Sequence, residues 1–218
     1  MITMWNWKTD MSRDRKAQGK EVYSLIVDGE TEVWYFQLMK QYESLKMIDI
    51  KPELPKKKKL SELYKLVKDN AKDYTRAIWI IDFDTIIKED KEIRKGSKSR
   101  FLQLKEYIAE LKRLDNVEVL INTPCLEFWF LLHLKETGRY FATCNDVCKE
   151  FSDSILSDYE KTERYYKKKN DDLYTKLKTL LPGAIINAKK LGSFDINLPE
   201  AAKAEMFKVF ELRNKQEL

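Results

Sequence analysis

The sequence predicts an α/β fold: a parallel sheet flanked by helices, followed by a helical C-terminal extension. Three observations carry that reading. Arg76-Ala77-Ile78-Trp79-Ile80-Ile81-Asp82-Phe83-Asp84 is an unbroken β-branched and aromatic run ending in two acids, the pattern of a strand buried on both faces. Two more such runs, Tyr23 to Val27 and Val117 to Ile121, also end on polar residues. Between the second and third strand, Phe101, Leu104, Ile108, Leu111 and Leu114 recur at helical spacing, and strand–helix–strand alternation argues a right-handed crossover.

The strand ends hold the candidate chemistry. In an open α/β sheet, ligands gather outside the carboxyl ends of the strands. Asp28 ends the first strand and precedes Gly29, which permits a tight strand-to-helix turn. Asp82 and Asp84 end the central strand, while Asn122 and Glu127 follow the last, with Pro124 suited to the first turn of the next helix. Parallel strands bring these groups to one edge, where carboxylates suit a hard cation such as Mg2+. An isolated Asp-x-Asp would equally describe a solvated turn after a core strand. The second and third polar ends shift the balance.

Four segments resemble one known family. Asp28-Gly29-Glu30-Thr31-Glu32 resembles the Glu-Gly-x-Thr-Glu opening of Toprim domains in the RloB-like family, which relates to phage-defence proteins, and Asp82-Phe83-Asp84 resembles the Toprim Asp-x-Asp. Asn122-Thr123-Pro124-Cys125-Leu126-Glu127-Phe128-Trp129-Phe130-Leu131-Leu132-His133 is similar to that family's Asn-Pro-Cys-Phe-Glu-Leu-Trp-Leu-Leu-Leu-His block, and Ala184-Ile185-Ile186-Asn187-Ala188-Lys189 to its Ala-Ile-x-Asn-Ala segment. Order and spacing agree over roughly residues 20 to 192. One departure matters: Asp28 stands where Toprim domains have glutamate. The shorter side chain disturbs a proton transfer more than metal ligation, because proton transfer needs hydrogen-bond reach.

Composition bounds the alternatives. With 218 residues the chain can bury a sizeable core, and a net charge of +5 permits a polyanionic partner without demanding one. His133 is the single histidine, which excludes a two-histidine ribonuclease site, and no Gly-x-x-x-x-Gly-Lys-Ser/Thr loop is present. The longest apolar run, Phe128 to Leu134, is too short to span a bilayer, and the first residues lack a secretory signal. Three cysteines without a framework spacing point to a reducing cytoplasm.

In chain order, residues 1–20 read as a mobile polar arm. Trp34, Leu38, Tyr42 and Leu45 mark an amphipathic helix, and Met47 to Ile50 a short second strand. Lys56, Lys57 and Lys58, in a proline-flanked loop, are either a solvated run or a phosphate-contacting loop. Ser61 is the expected cap of a helix burying Leu60, Leu63, Tyr64 and Val67. Residues 85–100, with Lys98 and Arg100, read as a long charged loop and a candidate substrate lid. The helix from Pro124 to about Lys135 is apolar all round and should be buried, with His133 a satisfied core histidine. Cys144 and Cys148, four apart, are candidates to join Cys125 and His133 around zinc, but their spacing is not that of structural zinc sites.

From Cys144 onward the chain reads as wholly helical. Asp158 to Leu181 interleaves Lys161, Lys167, Lys168 and Lys169 with Tyr159, Tyr165, Tyr166 and Tyr174, suiting either base stacking with backbone neutralisation or a solvated face. Pro182-Gly183 breaks the pattern, Gly192 stops the next helix, and Asn197-Leu198-Pro199 opens the last one.

The expected organisation is an arm over residues 1–20, a Toprim-like domain over 21–136 and a helical extension over 137–218. The resemblance implies a Toprim-type nuclease that hydrolyses phosphodiesters of RNA or DNA, tRNA included, as an effector of phage defence by abortive infection. Asp28, Asp82 and Asp84 are the candidate ligands of Mg2+ (or Mn2+), with Glu32, Glu127 and Asn122 completing the catalytic set. Lys56, Lys57, Lys58, Lys98, Arg100, Lys167, Lys168 and Lys169 are the candidate nucleic-acid contacts. The resemblance also implies an ATPase partner. The alternative is a non-catalytic Toprim-like module that binds nucleic acid or a partner protein, a reading favoured by Asp28.

Overall fold

The computed structural model describes residue 19 and residues 21–52, 59–93 and 98–214. Its strands are β1 (Tyr23–Ile26), β2 (Ile48–Lys51), β3 (Arg76–Asp82), β4 (Val117–Thr123) and β5 (Lys203–Ala204). They form one sheet in the order β2-β1-β3-β4-β5, parallel throughout except for antiparallel β5. The register sets Ile26 opposite Trp79 and Asp82 opposite Asn122, so the polar ends of β1, β3 and β4 share one edge. The expected α/β fold is the observed one.

Side-chain alternation along the central strand divides the core in two. Ile78 and Ile80 pack against α1 (Glu30–Tyr42) and α5 (Leu126–Leu134), while Ala77, Trp79 and Ile81 pack against α2 (Leu60–Asp73), α3 (Phe83–Lys91) and α4 (Arg100–Leu111). Ser24 faces the second layer, and its buried hydroxyl is satisfied by Asn70 Oδ1 of α2 at 3.0 Å. Every residue of α5 from Leu126 to His133 is buried, as its all-apolar face predicts. His133 Nδ1 donates to the Trp129 carbonyl at 2.9 Å, and burial lowers its pKa to about 4, so it is a core histidine.

The C-terminal part continues with α6 (Cys144–Lys149), α7 (Glu163–Tyr166), α8 (Leu173–Lys178), α9 (Leu181–Leu191) and α10 (Phe207–Asn214). Gly192 ends α9 at φ 70°, where a side chain would be strained.

Several expectations are corrected. The segment after Cys144 is not wholly helical: residues 158–180 hold only the short α7 and α8, and Lys203–Ala204 adds a strand to the sheet. Buried Glu205 secures that edge, accepting from the Ile121 amide at 2.9 Å and from Lys208 at 2.7 Å. Asn197 to Glu200 forms turns, and the last helix starts at Phe207. Residues 83–91, read as strand end and loop, form α3, because Phe83 and Ile86 bury one face while the charges lie on the other. Lys59, not Ser61, is the N-cap of α2, and its backbone amide donates to the Glu62 carboxylate at 3.0 Å. Pro124 lies before α5 behind a cis peptide bond, not in its first turn.

The stacking face proposed for the C-terminal tyrosines is not formed. Tyr165, Tyr166 and Tyr174 are buried in the core, with Tyr166 packed edge-on to Trp34 at 5.4 Å. Most of the arm over residues 1–20, and Lys56, Lys57 and Lys58, lie outside the described residues. Among the described residues, no helix is long and apolar enough to cross a membrane.

Candidate functional site

The strand ends open into a cleft of about 460 Å3 lined by Asp28, Glu32, Asp82, Asp84, Lys88 and Lys161, among others. Asp82 is the last residue of β3, so the strand delivers its carboxylate to the sheet edge, and Asp84 follows in the first turn of α3. The Asp84 amide donates to the Pro124 carbonyl at 2.9 Å, which ties the β3 exit to the β4 exit. Asp82 Oδ2 accepts from the Leu126 amide at 3.0 Å and Oδ1 from Asn122 Nδ2 at 3.3 Å. Asn122 Oδ1, although buried, has no hydrogen-bond partner among the described residues.

Glu32 reaches the cleft from the first turn of α1, folded back over Gly29. A Cβ at Gly29 would collide with Glu32 Oε2, so a larger residue there would push the Glu32 carboxylate aside, although the backbone angles of Gly29 suit any residue. Glu32 stands close enough to Asp82 for its charge to raise the Asp82 pKa.

Burial pushes the Asp82 carboxyl well above its usual range, and the charges of Glu32, Glu127 and Asp84 push it further. Burial likewise raises Glu32 and Asp84, with Lys161 partly offsetting the effect on Asp84. A buried set of mutually repelling carboxyls beside an orphaned amide oxygen is the donor chemistry of a hard divalent cation. The residues fit Mg2+ or Mn2+.

Glu127 occupies the first turn of α5 and is 1% exposed. Tyr159 donates to its Oε1 at 2.7 Å, Lys161 Nζ stands 2.8 Å from the same oxygen, and Cys144 Sγ lies 2.7 Å from Oε2. Burial opposes the charge on Lys161, yet the Glu127 carboxylate outweighs it and raises the ammonium's pKa.

The cysteines also gather here, although their sequence spacing shows no framework. Cys125 and Cys144 form a disulfide with Cα atoms 5.7 Å apart, and Cys148 is free. The fold joins the segment after Leu134 to the cleft wall, which no local spacing reports.

Three groups of ligand atoms lie within 4.8 Å of one another: Asp84 with Cys125 and Cys144, Asp82 with Cys125 and Glu127, and Glu127 with Cys144 and Cys148. Asp28 lines the same cleft from the β1 side and joins none of these groups among the described residues. The sequence reading missed Lys161 as a cleft residue and Tyr159 as a partner of Glu127.

A family model for the RloB-like protein matches residues 23–212, nearly the whole described chain. The chain belongs to the RloB-like family. Comparison with curated proteins and with solved structures gave no match.

The other candidate contacts among the described residues of this RloB-like chain lie outside the cleft lining. Lys98 pairs with Glu106, and Arg100 Nε lies 3.8 Å from Glu89. Lys167, Lys168 and Lys169 line a separate groove with Gln37, Gln41 and Tyr42. Lys167 is paired to Glu163 at 2.7 Å and Lys168 to Asp171 at 2.6 Å, so their charges are partly neutralised. Lys169 has no ion-pair partner among the described residues.

Proposed function

We propose that this RloB-like protein is a Mg2+-dependent (or Mn2+-dependent) Toprim-type nuclease that hydrolyses phosphodiesters of RNA or DNA, tRNA included, as a cytoplasmic effector of phage defence. One observation carries the reading: buried, mutually repelling carboxyls meet two lysines in a single cleft at the strand ends. Asp82 and Asp84 would hold the metal, with Asp28 across the cleft and Glu32 beside them. The bound metal would polarise the phosphoryl oxygen and supply a water activated for attack.

The remaining roles belong to side chains. Lys161 and Lys88 supply positive charge in a cleft otherwise hostile to a phosphodiester, and Lys161 is held on its inner side by Glu127. Asn122 steers Asp82 through one amide hydrogen and leaves its oxygen for the metal shell or the substrate. The groove with Lys167, Lys168 and Lys169 would carry the flanking backbone by charge without reading sequence. The resemblance to phage-defence proteins supports an ATPase partner.

A second reading, a non-catalytic module, is favoured by Asp28, whose shorter side chain joins none of the tight ligand groups among the described residues. Incubating the purified chain with tRNA, single-stranded and duplex nucleic acids in Mg2+, Mn2+ or EDTA decides between them. Metal-dependent cleavage is the expected result. Tight binding without cleavage in any metal would establish the module.

A further inference from the structure

We propose that reduction of the Cys125–Cys144 bridge creates a thiophilic-metal site, suited to Zn2+, built from the two cysteine sulfurs and the Asp84 carboxylate. The inference goes beyond the proposed nuclease chemistry and does not rest on it.

The three ligand atoms already lie within 4.8 Å of one another on the cleft wall. With Cα atoms 5.7 Å apart, only rotations about the two Cα–Cβ bonds are needed to separate the sulfurs. Two metal–sulfur bonds of about 2.3 Å allow them to stand up to about 4.6 Å apart on one ion. Each cysteine is held independently of the bridge: Cys125 caps α5 and Cys144 opens α6 beneath a Thr143 cap. Reduction therefore frees two sulfurs from a scaffold that keeps them neighbours.

A second observation concerns the charges around Cys144. Cys144 Sγ lies 2.7 Å from Glu127 Oε2. That carboxylate favours the neutral thiol of a reduced Cys144, so metal binding there has to displace the thiol proton. Lys161 Nζ stands 3.2 Å from the same sulfur and favours its thiolate, the form that binds metal. Cys148 lies outside the proposed set, and burial raises its thiol to about 11, away from the thiolate.

The electron balance is simple. A dithiol reductant gives two electrons and two protons, breaks the S–S bond and leaves as its own disulfide. Metal binding then releases the two thiol protons as the metal–sulfur bonds form. Two sulfurs and one carboxylate make a three-ligand set with an open fourth position for water. Soft donors select Zn2+ over Mg2+, so this set differs in kind from the all-oxygen chemistry of Asp82 and Glu32, although the two share Asp84.

The test is optical and uses Co2+ in place of spectroscopically silent Zn2+. The full chain is reduced with dithiothreitol, desalted without air and titrated with Co2+. The expected result is thiolate-to-cobalt charge-transfer absorption that saturates at one ion per chain, yields to added Zn2+ and survives excess Mg2+. The band is expected to be lost in Cys125→Ser and Cys144→Ser, weakened in Asp84→Asn and kept in Cys148→Ser; the unreduced chain should not show it.

Should the cysteine variants fail to fold, alkylation of the reduced wild type replaces them: Zn2+ is expected to slow modification of Cys125 and Cys144 but not Cys148. No thiolate band in the reduced chain, a band that persists without Cys125 or Cys144, or Zn2+ protection confined to Cys148 would overturn the proposal. The readout involves no nucleic acid, so its failure leaves the nuclease reading standing, and the reverse holds.

Discussion

The Lys161 ammonium stands 2.8 Å from Glu127 Oε1, pairing a half-exposed cation with an acid that is 1% exposed. The two residues come from segments on either side of the expected boundary at residue 136. Breaking a buried pair by removing one member leaves an uncompensated charge, at a cost of roughly 3–5 kcal/mol when both are buried. Water reaches about half of Lys161, and Tyr159 still donates to Glu127, so Lys161→Met is expected to cost about 1–2 kcal/mol. Adding Glu127→Gln should return most of that loss, since the amide needs no cation. Urea unfolding of the two single variants and the double variant gives the coupling directly. Strictly additive effects would show that the pair is not what holds Lys161 in the cleft.

Gly29 and Glu32 make a sharper claim about the acid cluster. The glycine has φ −117°, which any residue adopts, so Gly29→Ala introduces no backbone strain. Its new methyl group would instead displace the Glu32 carboxylate from its place beside Asp82. The expected outcome is a small change in metal-free stability, within about 1 kcal/mol, with a clearly smaller rise in Tm on adding Mg2+. A variant whose Mg2+ response equals that of the wild type would remove Glu32 from the metal shell.

His133 offers a pH test free of the cleft. Its folded pKa is about 4 against 6.5 for an exposed histidine, because burial disfavours the charged ring. A base with a depressed folded pKa contributes stability above its unfolded value and loses it as pH falls toward the folded one. The stabilisation is therefore complete above about pH 7 and withdrawn between about 6.5 and 4, to a limit of roughly 3 kcal/mol. As the only histidine in the chain, it can be followed by proton NMR without assignment. Its ring should stay neutral at pH 5.5, and His133→Gln should flatten the stability profile across that window. A titration midpoint near 6.5 would contradict the buried, neutral ring.

Much of this fold could be read from the chain. The runs ending at Val27, Asp82 and Ile121 mark three of the parallel strands, because strands buried on both faces are apolar at every position. The Leu60, Leu63 and Val67 period marks α2 for the complementary reason. β5 was not legible, since Lys203 and Ala204 are too few to show a period of two. α3 was hidden because only Phe83 and Ile86 of its nine residues are buried, leaving a composition that resembles a loop. At the site, Asp82 and Asp84 were legible because strands deliver their last residues to the sheet edge. Lys161, Tyr159 and the Cys125–Cys144 bridge were not, because their meeting depends on tertiary packing of the chain after Leu134.

The remaining prediction separates an enzyme from a docking module. Burial, followed by neighbouring acids for Asp82 and partly offset by Lys161 for Asp84, raises both carboxyls. An acid with a raised folded pKa contributes stability below its unfolded pKa, near 4, and loses it as pH rises through the folded value. Without metal, wild-type stability should therefore fall on going from about pH 4 toward neutrality, as far as these groups are concerned. Asp82→Asn and Asp84→Asn do not ionise and should equal or exceed the wild type at pH 7. At position 82 the new amide keeps an acceptor for the Leu126 amide, and a flip of Asn122 lets its unused oxygen accept the added hydrogens. Stabilisation by Mg2+, about 2.7 kcal/mol at a hundredfold excess over Kd, should shrink in both variants. Cleavage should fall at least about a thousandfold, because metal supplies several kcal/mol of transition-state stabilisation. Thermal unfolding across pH with and without Mg2+, beside a cleavage assay, reads all three effects. Asn variants that match the wild type in every one of them would mean that the cleft holds no ion and that the protein acts by docking alone.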